Sequence, residues 1–110
     1  MKYPKPRHKP GEMNKTEKKY SEHLESRRLE GEIISFKFEK IKFKLAHKTF
    51  YTPDFFVVMP GHIEIHEVKG FWMDDARVKI KVAAEMFPEF KWVAVKWKNK
   101  KEGWQFEEFK

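Results

Sequence analysis

The first hydrophobic pattern in the chain has the spacing of a helix. Tyr20 and Leu24 lie four residues apart within a polar segment that runs from residue 15 to residue 32, which predicts an amphipathic helix. Asn14 is suited to cap its first turn, with Glu17 three residues later as in a capping box. Glu17, Tyr20 and Leu24 share one face of this helix, so we expect the Glu17 carboxylate to point towards the core.

The pattern then changes to alternation, which is typical of strands. Between residues 33 and 50, apolar residues alternate at Ile34, Phe36 and Phe38 and again at Ile41, Phe43 and Leu45. This predicts two half-buried strands that we expect to pair as a hairpin. Residues 54–59 and 62–70 predict two more strands, joined by a turn at Pro60–Gly61. A β-rich central region therefore follows the first helix.

Helical spacing returns between residues 73 and 87, where the apolar residues are Ala76, Ile80, Ala83 and Phe87. Asp74 or Asp75 is expected to cap this second helix. Pro88 is expected to end it. The continuous apolar run within residues 91–97 predicts a last strand in the centre of the sheet. The predicted fold class is α/β, with a mixed sheet of about five strands flanked by two helices. Residues 14–110 are expected to form one domain, after a flexible basic arm at 1–13.

Charge and composition narrow the range of partners. The net charge of +7 and the pI of about 9.5 favour a polyanionic partner, with nucleic acid ahead of a membrane surface; a merely soluble, lysine-rich surface is the alternative. The absence of cysteine excludes disulfides and cysteine-based zinc sites. No apolar run reaches the ~18 residues of a membrane span, and no secretory signal is present, so a cytoplasmic location is expected.

Ionisable residues interrupt the two central strands. Glu67 and Lys69 continue the apolar face of the strand at 62–70, and Asp54 opens the strand that the Pro60–Gly61 turn brings alongside. Two carboxylates converging there predict a hard-oxygen site for Mg²⁺ or Mn²⁺, with Glu17 as a third carboxylate. Lys69 could orient or deprotonate an attacking water, or stabilise charge on a phosphate. The alternative is an ordinary Glu67–Lys69 ion pair beside an Asp54 that caps a turn.

A resemblance to a known family rests on these same residues. TPDF followed by EVKG resembles the signature of the PD-(D/E)xK nuclease superfamily. The chain is also similar to phage endonuclease I-type Holliday junction resolvases and to short phage endonucleases. The similar segments are YTPDF, the aromatic-rich helix start, the MFPEF helix end and the first helix TEKKYSEHLES. The resemblance implies a restriction-endonuclease-like core and Mg²⁺-dependent cleavage of branched DNA by a homodimer. It implies catalytic roles for Glu17, Asp54, Glu67 and Lys69, and metal ligation by Asp54, Glu67, Val68 and Glu17.

Two rival functions stay open on the same residues. One is a sequence-specific or mobile-element nuclease on the same core, and the other is a DNA-binding accessory module without catalysis. The glycine-aromatic strand motifs of RNA-binding domains are not seen. The predicted first hairpin leaves a long edge that a second copy could cover, which favours a homodimer.

Further positions carry weaker predictions. Six cations are candidate DNA contacts, with a solvated surface as the alternative: Arg27, Arg28, Arg77, Lys79, Lys81 and Lys98. His62, Glu64 and His66 alternate on the face opposite Glu67 and have side chains that zinc can bind. We expect them instead to form an exposed polar strand face.

Overall fold

The computed structural model describes residues 11–69 and 74–110 as an α/β fold. The elements are α1 (Lys15–Leu29), β1 (Ser35–Phe38), β2 (Phe43–Ala46), β3 (Thr49–Tyr51), β4 (Phe55–Met59), β5 (His62–Lys69), α2 (Asp74–Met86), β6 (Lys91–Asn99) and β7 (Gly103–Phe109). Five strands form one mixed sheet in the order β1-β4-β5-β6-β7, in which only β5 and β6 are parallel neighbours. The predicted mixed sheet with two helices is confirmed. Residues 1–10 of the expected arm at 1–13 lie outside the described part of the chain.

The first helix covers one face of the sheet and has the predicted capping box. The Asn14 side chain accepts a hydrogen bond from the Glu17 N–H (2.8 Å), and the Asn14 N–H donates to Glu17 Oε1 (2.9 Å). Tyr20 and Leu24 are fully buried on the helix face that the spacing predicted. They pack with apolar side chains of the sheet: Phe55, Val57, Val68, Val93 and Val95.

The second helix and the small β2–β3 sheet cover the opposite face. Ile80 and Ala83 of α2 are fully buried there with Trp92 of β6, whose indole N–H donates to the Phe87 carbonyl (2.8 Å). Helix α2 ends two residues before Pro88, as predicted. The side chains of the two expected capping aspartates lie outside the described part of the chain. The sheet therefore separates two apolar clusters.

The predicted hairpin between residues 33 and 50 is wrong. Strand β1 pairs with β4, while β2 pairs with β3 in a separate two-stranded sheet. The chain turns away after β1 because Glu39 adopts a positive φ of 48° and its N–H donates to the Asp54 carbonyl (2.8 Å). Alternation identified both strands correctly but carried no information about their partners.

The C-terminal segment forms a strand that the sequence analysis missed. Strand β7 pairs antiparallel with β6, so β6 is central as predicted but is not the last strand. The turn between them is closed by Asn99, whose side chain accepts from the Glu102 N–H (2.8 Å). The turn residues Asn99 and Gly103, followed by alternating Trp104 and Phe106, are the signal that could have revealed it. No described helix has the length and apolar character needed to cross a membrane.

Two leucines of α1 provide a test of this packing. Leu24→Ala should lower the free energy of unfolding by about 3 kcal/mol, because a fully buried side chain leaves a cavity. Leu29→Ala, at a position with 73% exposure on the same helix, should change it by less than about 0.5 kcal/mol. Urea unfolding followed by circular dichroism measures both, and equal losses would contradict the orientation of α1.

Candidate active site

The antiparallel pairing of β4 and β5 places Asp54 directly across from Glu67. Phe55 pairs with His66, so the residue before Phe55 and the residue after His66 face each other. The Asp54 N–H donates to Glu67 Oε1 (3.0 Å), and the Val68 N–H donates to Asp54 Oδ2 (2.8 Å). Each carboxylate is thus held by the backbone of the other strand, with exposures of 5% for Asp54 and 6% for Glu67.

Lys69 completes the predicted set of residues. Its Nζ lies 3.2 Å from Glu67 Oε2, and the side chain is only partly buried. Lys69 is the last residue of β5, where the strand leaves the core, so its ammonium reaches the site from the solvent side. The structure therefore brings Asp54, Glu67 and Lys69 together at one end of the sheet.

Helix α1 supplies a third carboxylate at the same place. Glu17 is 3% exposed, and one of its oxygens is fixed by the capping box described above. Beyond the effect of burial, its negative charge raises the pKa of Asp54, so the two carboxyl groups are neighbours. The three acidic residues singled out in the sequence thus meet in the fold.

Burial opposes the ionisation of Asp54 and Glu67. Burial raises the pKa of Asp54 well above its usual value, and the charges of Glu67 and Glu17 raise it further, against the lowering effect of the Val68 N–H. Burial also raises the pKa of Glu67, although Lys69 beside it acts in the opposite direction. Lys69 is a single ammonium beside the two buried carboxylates of Asp54 and Glu67, so this pair is suited to bind a further cation.

The donor atoms suit a divalent cation bound by two carboxylates. Among residues 11–69 and 74–110, no group of three or more acidic or histidine side chains is arranged to hold a metal ion. Mg²⁺ commonly takes only one or two carboxylates and keeps several waters, so Asp54 and Glu67 suffice. Val68 has no side-chain ligand atom and its N–H is bonded to Asp54, which leaves its carbonyl oxygen as the only group that could bind a metal.

A cavity of about 280 Å³ opens beside these residues. Its lining includes Glu67 and Lys69 of β5, Tyr51 of β3 and Lys79 of α2. Lys79, which the sequence analysis proposed as a DNA contact, therefore faces the candidate active site. Tyr51 was missed, although its place in YTPDF, three residues before Asp54, is a signal that could have found it.

The other proposed DNA contacts lie elsewhere on the surface. Four of them form ion pairs with glutamates: Arg27 with Glu32 (3.4 Å), Arg28 with Glu25 (2.6 Å), Arg77 with Glu107 (2.9 Å) and Lys98 with Glu102 (3.3 Å). Lys81 is exposed on α2. Exposed ion pairs contribute little to stability, so these cations could exchange their glutamates for phosphates.

The opposite face of β5 is polar, but only His62 is exposed there, which corrects the prediction for Glu64 and His66. Glu64 and His66 are buried, and Glu64 bonds both histidines (2.7 Å to His62 and 2.8 Å to His66). His66 Nδ1 lies 2.6 Å from the Tyr20 hydroxyl of α1. The hydrogen bond from His66, ahead of that from His62, lowers the pKa of Glu64 to about 2. These side chains satisfy one another, in an arrangement typical of structural support.

A larger pocket of about 710 Å³ lies on that face, between α1 and β5–β6. Its lining includes His66 and Glu64, together with Arg27 and Lys91, whose charges are paired with glutamates. Size alone would favour it as a binding site. The smaller cavity lies beside Asp54 and Glu67, whose pKa values are raised, and is lined by Lys69 and Lys79. It is therefore the better candidate for a functional site.

The raised pKa values lead to a prediction about stability. Asp54→Asn should raise the melting temperature, because asparagine still accepts from the Val68 N–H but needs no ionisation. The unfolded carboxylate has a pKa of about 3.9 and the folded one a higher value, so the wild-type protein loses stability as the pH rises from about 4 through that higher pKa. The increase in melting temperature caused by Asp54→Asn should therefore be larger at pH 8 than at pH 5.

Glu64→Gln is the matched control for this experiment, and we expect it to change the melting temperature in the opposite direction. The folded pKa of Glu64 lies below its unfolded value, so its charge stabilises the protein above about pH 4 and that stabilisation is lost as the pH falls towards 2. Glu64→Gln should lower the melting temperature at pH 8. If both substitutions lower it there, the assignment of strain to Asp54 is wrong.

No protein-family model, curated protein or solved structure matches this chain. What the site can do chemically follows from its own side chains, which are three buried carboxylates, a lysine at their solvent side and a cavity beside them.

Proposed function

We propose that this protein is a metal-dependent DNA endonuclease that hydrolyses phosphodiester bonds, with branched or four-way DNA as its substrate and a homodimer as its active form. The observation that carries the proposal is the meeting of Asp54, Glu67 and Lys69 at one end of β4 and β5, with Glu17 of α1 against Asp54. Their order along the chain is that of the PD-(D/E)xK signature.

The chain's own residues have distinct roles in this reaction. Lys69 orients the attacking water and offsets the charge that develops on the phosphate, since its ammonium lies on the solvent side of Glu67. Glu17, which the capping box holds beside Asp54, is placed to orient that water or take its proton. Mg²⁺ or Mn²⁺ held by Asp54 and Glu67 would polarise a phosphoryl oxygen and lower the pKa of water.

The electrostatics favour chemistry over a structural ion pair. A structural pair needs one carboxylate for one ammonium, whereas here Asp54 and Glu67, both buried, lie beside one described lysine, Lys69. Such an excess of buried negative charge opposes folding, and an apolar replacement would be less costly. A divalent cation relieves this repulsion, which supports an enzyme over a DNA-binding module without catalysis.

The remaining charge and the sheet edges support a DNA partner and a second subunit. The chain carries a net charge of +7 although its site is acidic, so its positive charge is concentrated outside the site, as contact with a phosphate backbone requires. Strands β1 and β7 are the edges of the described sheet, and a second copy could pair there. A symmetric dimer supplies the two cuts that resolve a junction.

The test is a cleavage assay with purified protein, Mg²⁺ and end-labelled DNA. We expect the wild-type protein to cut a four-way junction, and chelation by EDTA to abolish cutting. Glu67→Gln should lower the cleavage rate by at least a hundredfold because it removes a ligand and a charge at the reacting phosphate. Gel mapping of the products against flap and linear duplex of the same sequence measures rate and preference.

Glu64→Gln is the control for this assay, since it alters a buried glutamate of the same strand on the opposite face. It should cut at nearly the wild-type rate at a temperature where circular dichroism shows it folded. Equal loss in both variants, or cutting that persists in Glu67→Gln with EDTA present, would reject the proposal. Equal cutting of linear duplex would favour a sequence-specific nuclease, and DNA binding without cutting would favour the accessory module.

A further inference from the structure

Tyr51 presents a buried hydroxyl that lacks a hydrogen-bond partner in the described part of the chain. The side chain is 7% exposed, and its ring stacks on Trp92 (6.3 Å between centroids, planes at 27°). Its Oη is the one buried side-chain polar atom that makes no hydrogen bond with the residues at 11–69 and 74–110. Leaving such a group unbonded is costly, so its presence beside a cavity suggests a ligand.

The same chain satisfies a comparable tyrosine on the other side of the sheet. Tyr20 is fully buried, and its hydroxyl lies 2.6 Å from His66 Nδ1. The difference between the two tyrosines is their position, because Tyr51 lines the 280 Å³ cavity of the candidate active site and Tyr20 lies in the α1 cluster. The unsatisfied hydroxyl is thus at the reactive end of the molecule.

The Tyr51 hydroxyl is a hydrogen-bond donor at neutral pH, because a tyrosine phenol ordinarily loses its proton only at about pH 10. It lies close to Glu67, but the contact does not meet the geometry of a hydrogen bond. The Glu67 oxygens already accept from the Asp54 N–H and from Lys69.

Two lysines complete a set of groups suited to an anion. Lys69 and Lys79 line the same cavity as Tyr51, one from β5 and one from α2. Lys79 is exposed there, and Thr52 adds a second hydroxyl to the lining. A tetrahedral phosphate presents several acceptor oxygens and a negative charge, which matches one neutral donor and two cations.

We propose that the Tyr51 hydroxyl, together with Lys69 and Lys79, forms a phosphate subsite that binds a non-bridging oxygen of the DNA backbone at the scissile position. The subsite rests on the proposed nuclease function for its natural ligand, although its binding of phosphate can be measured without cleavage. Tyr51 is then a substrate-binding residue that holds the phosphate against the carboxylates. Its lack of an internal partner is the cost of keeping a donor available for that oxygen.

The test compares Tyr51→Phe with Tyr20→Phe, which remove one hydroxyl from opposite faces of the sheet. Tyr51→Phe should not lower the melting temperature, because no internal hydrogen bond is lost, but it should slow single-turnover cleavage of a junction by about 10- to 100-fold, as expected for a lost bond to a charged group. Tyr20→Phe should lower the melting temperature and cleave within about twofold of the wild-type rate.

A second measurement does not depend on catalysis. Inorganic phosphate, added in the presence of Mg²⁺ and compared with chloride at equal ionic strength, should raise the melting temperature of the wild-type protein and of Tyr20→Phe. The increase should be smaller in Tyr51→Phe and in Lys79→Gln. If no DNA is cut by the wild-type protein, the nuclease proposal fails while this measurement still decides on the subsite.

Two results would overturn the subsite. A Tyr51→Phe variant that melts as far below the wild-type protein as Tyr20→Phe would show that the hydroxyl is bonded within the protein. A Tyr51→Phe variant with the wild-type response to phosphate would show that the hydroxyl does not bind this anion.

Discussion

The crossed hydrogen bonds between Asp54 and β5 are the constraint on which the site depends. The Asp54 N–H binds the Glu67 carboxylate, and the Val68 N–H binds the Asp54 carboxylate, so neither side chain can turn away without leaving a buried N–H unbonded. The same two bonds fix the register of β4 against β5 at its open end. The site is therefore built into the sheet and does not depend on a flexible loop.

The rest of the fold supports this constraint from both sides. Helix α1 delivers Glu17 to Asp54 only because its capping box and its buried Tyr20 and Leu24 fix both its start and its rotation. On the other face, α2 and the β2–β3 sheet wall the cavity with Lys79 and Tyr51. Two apolar clusters, one on each face, offset the unfavourable burial of the carboxylates.

The sequence predicted local structure well and long-range pairing poorly, for physical reasons. Helical spacing, the capping box and the Pro60–Gly61 turn are decided by neighbours in the chain, so α1 and the β4–β5 hairpin followed from them. The partner of β1 is decided by which strand offers a matching edge. Alternation is the same for any partner, so the β1–β4 pairing could not be deduced.

The site was predictable in part because two of its strands are joined by a short turn. Asp54 and Glu67 had to be neighbours once Pro60–Gly61 closed the hairpin, and the turn of α1 that carries Glu17 faced the core by its spacing. The role of the Tyr51 hydroxyl could not be deduced in the same way, because it depends on the absence of a hydrogen-bond partner. Only the packed arrangement of β3, β5 and α2 reveals that absence among the described residues.

Two glutamates of β5 show how the fold assigns different tasks to one residue type. Glu64 and Glu67 are both buried and lie three residues apart, so they face opposite sides of the sheet. Glu64 lies between two histidines, and their hydrogen bonds, His66 first, lower its pKa to about 2. Glu67 lies beside Asp54, and its pKa is raised because burial outweighs the lowering effect of Lys69.

This difference in pKa separates a structural role for Glu64 from a ligand-binding role for Glu67. A carboxylate whose charge is fully satisfied by the protein has little remaining affinity for a ligand, so Glu64 stabilises the attachment of α1 through His66 and Tyr20. A carboxylate whose charge the protein leaves unsatisfied stores free energy that a bound cation can release. Burial alone would not distinguish the two glutamates. The charges of their neighbours do, and the glutamate with unsatisfied charge is on the side of Asp54, Lys69 and Tyr51.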